Sequence, residues 1–413
     1  MLIDMLELPH VNRNNLIEGS IRQYSMFSKR SREIAPFIVM QLAERASEFE
    51  AAGKTVVHFE VGEPDFQTAE PVVEAAKSAI DLGRTKYTVA LGIPELRDRI
   101  SQFYLDQGVI VGSNRIVITN GASGGLTLLA ALLLNPETSS SLPIPDIPAR
   151  CVARLVGAHP RPITVGAENR FQPSFADFAD AWGPNTRAAL LASPGNPTGT
   201  MLDQNDLAAM VGFAKESGGA LILDEIYQGL HHRPVAYSTG LAVRDDLYIL
   251  NSFSKYFGMT GWRLGWVVVP EEAVDPITKL AQNLFISPNA PAQNAALAAF
   301  DDQALAIYEV RREIFAQRAA LMADGLKRLG FQIPVMPDGA FYHYVDVSHT
   351  GMTSSDFCWR LMDEFQVAVT PGSDFGVHHA DRYARFAYTR GGDAIEMGLA
   401  RIANALSAWG IKT

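Results

Sequence analysis

Short apolar runs separated by amphipathic stretches dominate the middle of the chain. Residues 115–120, 188–192, 219–224 and 247–252 are each apolar, brief and bounded by turn formers, and they read as strands. Helical periodicity lies between several of them, as over residues 205–216. Upstream, Ile38, Leu42 and Ala46 recur every four residues and predict a helix from Pro36 to about Gly53; residues 56–61 then alternate like a strand. Past residue 300 the pattern changes. A long charged helix over residues 304–329 precedes two aromatic strand-like segments, FYHYVDV and RYARFAYT. Together these predict an α/β fold: a large domain around a mostly parallel sheet buried on both faces by helices, with ligands at the carboxyl ends of its strands, and a smaller α+β domain. The expected division is an extension over 1–30, a first part of the small domain over 31–60, the large domain over 61–300, and the rest of the small domain over 301–413.

Composition narrows the function classes. At 413 residues, 47% hydrophobic and 19% charged, the chain is long enough for large cores and too apolar for disorder. A net charge of −10 disfavours nucleic acid and anionic membranes as partners, and the SKRSR run at residues 28–32 reads as a solvated lead-in. The longest apolar stretch, residues 126–134, is far short of the ~20 residues a membrane span needs. Asp4 and Glu7 stand where a signal peptide would carry positive charge, so the expected address is cytoplasmic. Cys151 and Cys358 have no CxxC partner and are expected to be reduced.

Candidate chemistry gathers at strand ends. Gly53-Lys54-Thr55 imitates the close of a P-loop, but Glu48 stands where its first glycine belongs. The nine histidines offer no HExxH spacing, and no metal is expected. Gly121-Ala122-Ser123-Gly124-Gly125 is a literal GxSxG between a strand and a helix, the context of a hydrolase nucleophile; His343, His349, His378 and His379 keep a triad on Ser123 open. Asp224 ends an apolar strand, where a carboxylate needs a cation or donor, unless it caps the next helix; Tyr227 follows one turn on. SPGNPTG at residues 193–199 closes a second strand and aims Asn196 at the sheet edge. Ser252-Phe253-Ser254-Lys255 closes a third, with Arg263 downstream. Among Phe253, Tyr256 and Phe257, Lys255 is placed to lose hydration, which lowers an amine's pKa and suits a Schiff-base lysine.

Seven motifs in order carry a family resemblance from about Pro36 to Gly410: VGEPDF at Val61, YTVALGIPELR at Tyr87, TNGAS at Thr119, SPGNPTG at Ser193, DEIY at Asp224, SFSKYFGMTGWRLGW at Ser252 and YARFAYTR around Arg385. The chain resembles the class I/II aminotransferases, pyridoxal-phosphate enzymes of fold type I in the aspartate-aminotransferase superfamily. The resemblance implies a seven-stranded central sheet and a homodimer with shared sites. It assigns the Lys255 aldimine and proton transfer at Cα to Lys255, and the pyridinium nitrogen to Asp224. Asn196 and Tyr227 would face the ring's phenolic oxygen. The phosphate would lie on the Ala122 and Ser123 amides at a helix N-terminus, with Ser252, Arg263 and Tyr87 of the other subunit. Arg385 would clamp the substrate α-carboxylate, with Asn196 and the Gly62 turn close by. In this family the GxSxG turn cradles phosphate.

The resemblance also exposes a departure. The family's ring-stacking aromatic falls on Asp146 or Ile147 here, a loss on the ~1 kcal/mol scale of an aromatic contact. No Arg or Lys occurs over residues 281–300 or 121–125 to receive a second carboxylate, so a neutral or aromatic amino acid and a 2-oxo acid are the expected substrates. The same site could run β-elimination as a carbon–sulfur lyase, which stands as the alternative, with a serine hydrolase on Ser123 behind it.

Overall fold

The computed structural model describes residues 26–34, 36–144, 148–376 and 378–412. Two compact units are distinguished, residues 1–36 and 37–413. Within the first, the described part is a helix, Lys29–Glu33, whose N-cap Ser28 accepts from the Ser31 amide. It contains most of the basic run.

The second unit carries twelve strands among its described residues: β1 Val57–His58, β2 Ile116–Thr119, β3 Ser139–Ile144, β4 His159–Thr164, β5 Thr186–Ala192, β6 Ala220–Asp224, β7 Tyr248–Ser252, β8 Gly265–Val268, β9 Tyr342–Asp346, β10 Val367–Ala368, β11 Thr370–Pro371 and β12 Tyr383–Ala387. Seven of them form one sheet in the order β2-β8-β7-β6-β5-β3-β4, in which β8 alone runs antiparallel to its neighbours. Alternation explains its burial. Ile116, Ile118, Leu191, Leu223 and Ile249 enter one core, while Val117, Leu190, Ile222 and Leu250 enter a second on the opposite face. Each predicted central strand is present. Within this sheet the strands without a prediction are β3 and β4 at one end, rich in serine, proline and histidine, and β8, which begins at the end of a stretch read only as a motif. Edge positions tolerate the prolines of β4 because one side of the strand has no ladder to break.

The predicted helices at residues 36–53, 205–216 and 304–329 appear as Ile38–Ala51, Gln204–Glu216 and Asp302–Arg328. The strand expected over residues 56–61 pairs in parallel with β10 for only two residues; Phe59 then bridges β10 and β12 through backbone bonds to Ala368 and Ala387, and the chain leaves the sheet. β9, β11 and β12 make an antiparallel sheet. No described helix is long and apolar enough to cross a membrane, and no described cluster of His, Cys, Asp and Glu could hold a metal ion.

Candidate active site

Parallel strands bring their carboxyl ends to one edge of the large sheet. Asp224 ends β6 and pairs in register with Ala192 of β5 and Leu250 of β7; Ser252 ends β7, and the Asn120–Gly121 turn follows β2. Asp224 accepts a bond from the Ile226 amide at 3.0 Å, so the capping role open at the sequence level is real. It does not satisfy the carboxylate. Burial pushes Asp224 up to about 6, and among the described residues no cation lies within ion-pair distance of it. Neighbouring Glu225 goes elsewhere, to Thr239 and the Gly240 amide, so only Asp224 faces this edge.

Lys255 follows β7. Its Nζ donates to the Gly62 carbonyl at 2.7 Å and lies 6.0 Å from the Tyr227 ring centre and 5.8 Å from that of Phe341. Burial, then repulsion from Arg385, lowers it to about 8. The rings recorded beside the amine are those of Tyr227 and Phe341; Phe253, Tyr256 and Phe257, expected to supply the desolvation, pack on one another. Tyr227 is buried and its phenol is held protonated by that burial; its hydroxyl meets that of Tyr342 at 2.9 Å.

Arg385 is 4% exposed and has no carboxylate partner among the described residues. Its guanidinium donates to Asn196 Oδ1 at 2.9 Å, to the Glu60 carbonyl and to Thr370 Oγ1 at 3.3 Å, while Nε stays unbonded. The rings of Tyr342 and Phe375 lie 4.4 and 4.9 Å from it. A desolvated guanidinium with a spare donor is built to receive an anion. Asn196 therefore orients this arginine, and Gly62 reaches Lys255.

A second anion cradle lies at the helix Gly121–Leu133. Asn120 gives no side-chain cap, which leaves the first-turn amides at Ala122 and Ser123 for a ligand. Gly121 has φ +70°, and a Cβ there would stand 2.7 Å from Arg263 Nη2. Glycine thus supplies the left-handed turn and lets the guanidinium close on the helix end. Arg263 bonds the Thr260 carbonyl at 3.0 Å and has no carboxylate partner among the described residues. Ser252 Oγ accepts from the Ser254 amide at 3.0 Å, and its own proton reaches only the Leu264 carbonyl at 3.5 Å, which leaves it able to donate to a ligand. Tyr87 is 81% exposed. The stacking position at Asp146 and Ile147 lies outside the described residues.

Among the described residues the hydrolase alternative has no dyad. His343 bonds the Ala319 carbonyl, His349 packs on Phe331, and the His378 and His379 rings lie tilted against each other; no described histidine bonds Ser123. Sequence reading missed Tyr342, Thr370, Phe375 and the Glu60 carbonyl. FYHY gave the one usable signal, a pair of aromatics opening a strand.

A buried carboxylate and a lysine of lowered pKa at the large sheet's edge, with anion cradles at the Gly121 helix end and at Arg385 of β12, fit pyridoxal phosphate and an amino-acid carboxylate. Comparison agrees. Residues 54–402 match the family model "Aminotransferase class I and II". A valine–pyruvate aminotransferase of Mycobacterium tuberculosis is 35% identical over 376 residues, 90% of this chain and 97% of that one. The crystal structure of an aminotransferase from Mycobacterium tuberculosis superposes with a TM-score of 0.89 at 35% identity, covering 93% of this chain and 100% of that one. Aspartate aminotransferase from Thermus thermophilus with maleate gives 0.87 at 31% identity, covering 92% and 99%. The chain belongs to the class I and II aminotransferases, and is a pyridoxal-phosphate-dependent enzyme that transfers amino groups.

Proposed function

We propose that the enzyme exchanges an amino group between a neutral or aromatic L-amino acid and a 2-oxo acid, with Lys255, Asp224 and Tyr227 as the groups acting on the cofactor. The observation that carries the reading is Arg385, a buried guanidinium with an unbonded Nε, facing a lysine of lowered pKa. Bound pyridoxal phosphate supplies the electron sink that makes the substrate Cα–H acidic. Asp224 would hold a proton on the ring nitrogen, keeping that sink available. Tyr227 would donate to the phenolic oxygen, with Asn196 alongside. Lys255 would take the proton from the substrate Cα and return it during transfer. Ala122, Ser123, Ser252 and Arg263 hold the phosphate, joined by Tyr87 from a second subunit; its exposure supports a homodimer. Arg385 binds the α-carboxylate beside Asn196 and the Gly62 turn. The pairing of β1 with β10 supports counting residues 31–60 with 301–413 as one small domain beside a 61–300 domain.

Charge supports the substrate class. The groups acting on Lys255 are Arg385, Glu63, Arg263 and Asp224, so two cations answer two anions, and Glu63 would repel a third. The valine–pyruvate relative is consistent with this. Incubation with single amino acids plus pyruvate or 2-oxoglutarate is the test. Transfer to a new amino acid is expected, fastest from neutral or aromatic donors; ammonia release from cysteine-like substrates without transfer would mean a lyase.

Three results follow at the bench. Because the apo-protein's Lys255 titrates near 8, its capture of cofactor accelerates about tenfold per pH unit below that value and levels off above it. A stopped-flow rate still climbing tenfold per unit at about pH 9.5 would indicate an ordinary lysine. Ser123→Ala keeps the amide and removes only a hydroxyl at the phosphate cradle, so it weakens cofactor retention by about 10- to 100-fold if that hydroxyl donates to the phosphate, the range of a bond to a charged group, and it creates or removes no esterase activity. Arg385→Lys raises KM for both amino acid and oxo acid by about 10- to 100-fold, because an ammonium replaces a fork with a point charge; an unchanged KM places the carboxylate elsewhere.

A further inference from the structure

Tyr227 and Tyr342 bring two phenols together beside Lys255. Their oxygens lie 2.9 Å apart, with the rings edge to face at 81°. Each hydroxyl has one proton to give, so the pair makes a single bond in one of two senses. If Tyr227 gave its proton to Tyr342, it could only accept from any other group. We propose the opposite sense: Tyr342 is a positioning residue that donates to Tyr227, leaving the Tyr227 proton for the cofactor's phenolic oxygen. The proposal rests on the placement of Tyr227 at that oxygen given above.

The surroundings of Tyr342 hold it to this task. Its ring is buried beneath the Arg385 guanidinium at 4.4 Å, a cation that favours release of the phenol's hydrogen toward an acceptor. The chain closes over its hydroxyl at Gly62, where a Cβ would fall 1.8 Å from the Tyr342 oxygen. Gly62 has no positive φ, so this close approach is what requires glycine. The same residue accepts from Lys255. An oxygen that accepts one hydrogen bond donates a stronger one, by some 10–30%. Tyr342 thus strengthens the bond that Tyr227 makes.

A donor at the phenolic oxygen favours the charge that oxygen carries after the neighbouring proton of the resting holoenzyme has left. It therefore lowers the pH at which the visible spectrum of the bound cofactor changes. Spectrophotometric titration of Tyr342→Phe holoenzyme is expected to move that midpoint up by about half a unit, roughly threefold in proton affinity. Tyr227→Phe is expected to move it further, and adding Tyr342→Phe to Tyr227→Phe to move it no more. Gly62→Ala keeps both phenols but displaces the Tyr342 hydroxyl, and shifts the midpoint the same way. Thermal unfolding of each variant confirms a folded chain. A wild-type midpoint in both Tyr342→Phe and Gly62→Ala overturns the donor order, as does an equal Tyr342→Phe shift with Phe at position 227. A wild-type midpoint in Tyr227→Phe overturns instead the placement of Tyr227 on which the proposal rests.

Discussion

Lys255→Ala abolishes turnover, by about 10⁴-fold or more, while the protein still folds. On the proposed reading two functions are lost together: the covalent hold on the cofactor, and the base that moves the Cα proton. Among the described residues no second amine can replace it there, since Arg385 and Arg263 present guanidinium forks and Asp224 a carboxylate. Folding is spared because Nζ makes one recorded hydrogen bond, to Gly62, and the neighbouring aromatic core does not depend on it. Single-turnover mixing of the variant with cofactor and a substrate amino acid gives the decisive number. Activity within tenfold of wild type would remove Lys255 from the chemistry.

Asp224→Asn has the second-largest effect, a loss of about 10²- to 10³-fold in kcat. Burial, only partly offset by the Ile226 amide and by Lys255, leaves this carboxylate with a pKa of about 6, a cost that a positive group in ion-pair contact would remove. An amide of nearly the same shape keeps the bond from the Ile226 amide but cannot hold a proton on a pyridine-type nitrogen. Cofactor content and thermal stability should therefore stay close to wild type while both half-reactions slow together. Near-normal kcat would show that the ring nitrogen is satisfied by another group.

Much of this arrangement is legible locally. The central strands declare themselves by short apolar runs, and Asp224 and Lys255 by ending two of them. The edge strand β4 carries no such run, because one side of it has no ladder partner and most of its side chains are not buried; β3, paired on both sides, begins with three serines that give no apolar signal. Arg385 lies on a strand whose own pattern says only that it is buried; its orientation depends on Asn196, 189 residues away, and the task proposed for it is visible from sequence through family resemblance alone. Tyr342 is hidden for the same reason. In FYHY it reads as core, and its two defining contacts, Tyr227 and Gly62, come from distant segments. Gly62 is instructive, because a glycine needed for close approach has the same sequence signature as one needed for a turn.

The central claim is that one lysine, at the end of β7, holds the cofactor. Borohydride reduction of the holoenzyme followed by proteolysis and peptide mapping tests it directly. The account predicts a single pyridoxyl-modified peptide containing Lys255; modification at any other lysine, or a reduced protein whose Lys255 peptide carries no added mass, would contradict it.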